Sequence, residues 1–74
     1  MPHTFEDLVT LERAAVAAHA AITTADNPDT ARAAAVDAAA AFQAAVTEYA
    51  AAENESRYEV EMRAKKAVRH ETEA

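Results

Sequence analysis

The sequence predicts an all-α protein: an antiparallel helical hairpin with a long second helix, assembled with further helices into a bundle. Three observations predict it. Alanine supplies 23 of the 74 residues and is the best helix former, while glycine is absent and the two prolines, Pro2 and Pro28, fall outside the helices or at a helix start. One turn signal, Asn27-Pro28, divides the chain. On both sides of it apolar residues recur with helical period.

Helix 1 is expected to begin near Phe5. Thr4 stands three residues before Asp7, a capping arrangement, and Glu6 and Asp7 place negative charge in the first turn, where the helix dipole favours it. Leu8, Leu11, Ala15, Ala18 and Ile22 share one arc, with Phe5, Val9 and Val16 on the adjoining one. The segment from Thr23 to Asp29 is the turn, with Asn27 as cap and Pro28 as first residue of helix 2.

Helix 2 meets no breaker as far as Ala52, and Phe42, Val46 and Tyr49 form its large apolar stripe, extended by Ala35, Ala38 and Ala39. Folding the hairpin about residue 27 pairs positions whose numbers sum to about 54: Phe5 with Tyr49, Leu8 with Val46, and Leu11 or Glu12 with Phe42. The hairpin core is therefore read as Phe5, Leu8, Leu11, Ile22, Phe42, Val46 and Tyr49. Val36 lies off the stripe.

Composition changes at residue 53, where alanine gives way to Glu53-Asn54-Glu55-Ser56-Arg57-Tyr58-Glu59. The chain thus reads as a single small helical domain over 1–74, with a hairpin at 4–52 and a charged helical segment at 53–74. Two readings of that segment follow. In the first choice helix 2 continues as an overhang, since no Gly or Pro interrupts it and Glu53–Arg57, Glu59–Arg63 and Glu61–Lys65 are spaced as i,i+4 ion pairs. In the alternative a third helix restarts at Ser56, whose Ser-x-x-Glu pattern with Glu59 is a capping box. Residues 70–74 are expected to fray.

Large aliphatic and phenylalanine residues number only 11, too few for a secure core in so short a chain, so burial against a second copy or a partner is expected. A homodimer forming a four-helix bundle is the simplest assembly. Val9, Val16, Val60 and Met62 are the candidate intermolecular surface.

The net charge of −6 disfavours general nucleic-acid binding and attraction to anionic membranes, and suits a basic protein partner better. No segment has the length and apolarity of a membrane span. Zero cysteines exclude disulfides, and the acidic start Met1-Pro2-His3-Thr4-Phe5-Glu6-Asp7 lacks the positive region of a signal peptide, so a cytoplasmic location is expected. Alanine richness with more Arg than Lys fits a GC-rich, bacterial coding sequence.

Chemistry-bearing patterns are sparse. Glu12 and His19 sit in the apolar half of helix 1, but no Glu-x-x-His spacing supports a metal, and a buried polar contact or an exposed edge is the plainer reading. With one serine, no cysteine and no Gly-rich loop, an enzyme and a bound cofactor are both unexpected. Arg63, Lys65, Lys66 and Arg69 form a basic cluster that offers partner or phosphate contacts, although cations also complement any helix C-terminus. The expected function is a non-catalytic interaction or oligomerisation module. The alternative is a small regulator, antitoxin- or inhibitor-like, that contacts nucleic acid through the basic cluster or neutralises a basic protein.

Overall fold

A computed structural model of the chain describes residues 3–73, with side chains as far as Glu71; Met1, Pro2 and Ala74, which enter the signal-peptide and fraying expectations, lie outside the described residues. The described residues form three α-helices and no strand: α1 (Phe5–Ala20), α2 (Pro28–Glu53) and α3 (Arg57–Glu73).

The start of α1 is fixed by a reciprocal capping box. The Asp7 amide donates to Thr4 Oγ1 at 3.1 Å and the Thr4 amide donates to Asp7 Oδ2 at 2.9 Å. At its far end α1 tightens into a 3-10 turn, Ala21–Thr24, where Thr23 Oγ1 donates to the Ala20 carbonyl at 3.0 Å. Asn27 then caps α2, its side-chain oxygen accepting from the Thr30 amide at 3.2 Å, with Pro28 in the first turn.

Helix α2 stops at Asn54, which adopts left-handed backbone angles (φ 55°, ψ 46°), while the Glu55 amide reaches back to the Ala50 carbonyl at 2.9 Å. This is the hydrogen bonding of a Schellman end, with asparagine in the place glycine usually takes. The Val60 amide donates to the Ser56 carbonyl at 3.0 Å as α3 begins. Of the two sequence readings the structure takes the third helix, and it remains helical through Glu73 rather than ending at residue 70.

The hairpin register is the expected one. Phe5 and Tyr49 stack with centroids 6.3 Å apart and planes tilted by 58°, and Leu8, Phe42 and Val46 are buried beside them. Around these sit Ala45 and Ala50 from α2 and Val60 and Ala64 from α3, with Phe5, Leu11 and Tyr49 partly buried at the margin.

Two assignments change. Val60 is fully buried in the core of its own chain rather than available to a second copy, because α3 folds back and inserts it against the hairpin. Ile22 is only half-buried and stands outside the core cluster, because it lies in the tightened turn, where the facing residues of α2 are mostly alanine. Of the other candidate intermolecular residues, Val9 is half-buried while Val16 and Met62 stay exposed.

The core is confined to the open end. No residue between 13 and 41 is buried, although these residues make up the last part of α1, the turn and the first half of α2. Alanine explains this: it lets the two helices approach but removes too little apolar surface from water to form a core between only two helices.

Candidate functional site

Three features of the molecule carry polar chemistry or exposed apolar surface. The first is the seam between α1 and α3. Glu12 is 7% exposed, the one buried charged residue described, and its Oε1 lies 3.6 Å from Lys65 Nζ. The Lys65 ammonium also stands 5.4 Å from the centroid of Phe42, so it neutralises the carboxylate while covering an aromatic face. Glu12 therefore pairs with α3, while His19 is exposed on α1 and lines the same groove.

Further along the seam Arg13 clamps Glu71 in a fork, Nε to Oε1 at 2.9 Å and Nη2 to Oε2 at 2.6 Å. Hydrogen bonding from Arg13 holds the Glu71 carboxyl below the usual range, and the same bonds raise the Arg13 guanidinium. On the α2 side Gln43 uses both ends of its amide: Nε2 donates to Glu61 at 3.0 Å and Oε1 accepts from Arg57 at 2.8 Å. His3 Nε2, at the entry to α1, lies 2.9 Å from Glu48 Oε2.

The i,i+4 pairs expected within α3 are replaced by links to other elements. Arg63 turns to Glu55 at 2.7 Å and lies over Phe5 at 5.5 Å, while Glu61 and Lys65 face α2 and α1 as described. The second feature is the basic cluster of α3, half of which is consumed in holding that helix in place. Lys66 and Arg69 are exposed and make no ion pair with a described residue.

The third feature is an open groove along the seam of α1 and α2 in the turn half. Its first part, about 410 Å³, lies between Ala15, Val16 and His19 of α1 and Ala35, Ala39 and Phe42 of α2, with Glu12 and Lys65 at its inner end. It continues towards the turn past Ile22, Arg32 and Val36. Val36 is 67% and Val16 49% exposed, high values for branched aliphatic side chains on one groove.

Of the remaining surface candidates, Met62 is 39% exposed on α3, and Val9 is half-buried beside Arg13 and Glu71. Among the described residues no three His, Asp or Glu side chains converge as a metal site would require, and no helix is long and apolar enough to cross a membrane.

Sequence reading missed His3 and Gln43. Gln43 carried a signal, being the one amide side chain within the alanine-rich body of α2, where an uncharged polar residue needs a partner if it faces inward. Compared with protein-family models, with curated proteins and with solved structures, the chain matches none.

Proposed function

We propose that this chain is a non-catalytic helical interaction module of the cytoplasm, and that it self-associates through the turn half of its hairpin. The observation that carries this reading is the absence of any buried residue between positions 13 and 41 together with the exposure of Val16 and Val36 on one groove.

A second copy is the occupant the surface favours. The charged residues at the groove already have partners within the chain, Glu12 with Lys65 and Arg32 with Asp29 at 3.1 Å, so the groove makes no demand for an oppositely charged ligand. Two hairpins laid face to face would each supply the two helices the other lacks, completing a four-helix layer around Val16, Ile22 and Val36. Introducing a charge at the centre tests this: with the α2–α3 bend held by Asn54→Gly, Val36→Glu should convert a dimer to a monomer at equal concentration, measured by light scattering, whereas an unchanged mass refutes the assignment.

A second reading rests on Lys66 and Arg69, the two exposed cations of the cluster that make no ion pair with a described residue. In it the chain is a regulator that touches phosphate or an acidic partner surface through the end of α3. Binding of that kind should weaken steeply with salt and disappear in Lys66→Glu/Arg69→Glu; retention of binding in that variant excludes it.

A further inference from the structure

The bend between α2 and α3 is held by backbone conformation and not by a helix-breaking residue. From Asp29 to Glu73 the chain contains neither glycine nor proline, and the break rests on Asn54 alone adopting the left-handed region. Such angles disfavour most residues, asparagine less than others.

The buried stripe ignores the break. Val46 and Val60 are two heptads apart, as are Ala50 and Ala64, and all four are core residues. In a straight helix these positions would lie along one face, with Glu53 and Arg57 filling the heptad between them. The contacts across the bend are also compatible with opening. Gln43 meets Glu61 and Phe42 meets Lys65, pairs centred on residue 52 and on residues 53–54, so an antiparallel pair of straight helices crossing at the bend would repeat them between chains. Arg63 with Glu55 is the ion pair that bridges the bend itself and that a straight helix would separate.

From this geometry we infer that α2 and α3 straighten into one helix and that two copies exchange α3, each docking its Val60, Ala64 and Val68 on the other's hairpin. The partner is a second copy because the stripe of α3 fits the hairpin surface around Leu8, Phe42 and Val46, and the copy presents that same surface. Exchange leaves the Glu12–Lys65, Arg13–Glu71 and Gln43–Glu61 links intact across the interface and replaces the strained residue by continuous helix. This assembly uses the open end of the hairpin and does not rest on the groove near the turn.

The test is made in a Val36→Glu background, so that association through the turn half is silenced and failure of one proposal is separable from failure of the other. Asn54→Gly, which accepts left-handed angles freely, should dimerise weakly; Asn54→Ala, which favours helix, should lower the dimer dissociation constant on the order of tenfold relative to it. Light scattering and native mass spectrometry read both. A second pair of variants tests exchange directly: Glu12→Lys alone and Lys65→Glu alone each place like charges together within one chain, whereas in an exchanged heterodimer both interfaces regain opposite charges. Mixing them should give a one-to-one heterodimer that neither forms with itself. Equal dissociation constants for the two Asn54 variants, or charge variants that stay apart on mixing, would overturn the inference.

Discussion

Glu12 Oε1 and Lys65 Nζ lie 3.6 Å apart, joining the one buried carboxylate described in α1 to a lysine of α3 that is about a third exposed. The pair fixes where α3 lies on the hairpin, since it is the deepest polar link between the two. Removing the lysine leaves a carboxylate with little water and no counter-charge. Lys65→Met should therefore destabilise the chain by about 1–2 kcal/mol, a value reduced from that of a fully buried pair because Lys65 reaches solvent. Replacing both partners, Glu12→Leu with Lys65→Met, should recover most of the loss in a denaturation double-mutant cycle.

The core at the open end should dominate stability. Leu8→Ala and Phe42→Ala each empty a site that is at most 2% exposed and should cost about 2–5 kcal/mol. Ile22→Ala, in the half-buried turn, should cost roughly 1 kcal/mol, since only part of its side chain leaves water. Urea denaturation of the three variants orders them; an Ile22 effect as large as that of Leu8 would contradict the placement of the core.

Acid should loosen the end of α3. Arg13 holds Glu71 below the usual carboxylate range, so the folded state favours the ionised form. That contribution is complete above the ordinary glutamate pKa and fades as pH falls through the lowered value of the folded state. Both side chains are solvent-exposed, so the effect is local. Carboxyl NMR should show Glu71 titrating below the ordinary glutamate range in the wild type and returning to it in Arg13→Ala.

The cap at Asn27 should matter beyond its own turn. Its side chain satisfies the Thr30 amide, and Asn27→Ala should lower stability by about 1 kcal/mol. Thermal unfolding followed by circular dichroism measures this.

Local chemistry explains what the sequence made legible. Thr4 with Asp7 marked the start of α1, Asn27-Pro28 marked the start of α2, and the pairing of Phe5 with Tyr49 followed from folding two periodic stripes about a short turn. The return of α3 was less legible because its cause is the backbone of Asn54, a residue that sits in a straight helix or in a left-handed cap with little difference in sequence signal. Once α3 turns back, Val60 becomes core, Lys65 finds Glu12, and Arg63 leaves its expected partner Glu59 for Glu55. The groove near the turn was hidden for a related reason: Val36 was visible as an off-stripe residue, but its exposure depends on α3 covering only the opposite end of the hairpin.

Self-association through the turn half is tested most directly by measuring mass by light scattering, with helicity by circular dichroism, across a hundredfold concentration range at neutral pH. With the α2–α3 bend held by Asn54→Gly, so that exchange of α3 is disfavoured, the expected result is a species of twice the 7.9 kDa chain mass that dissociates on dilution, and addition of Val36→Glu should leave only the 7.9 kDa species. A wild-type chain that remains at 7.9 kDa and keeps full helicity throughout would contradict it.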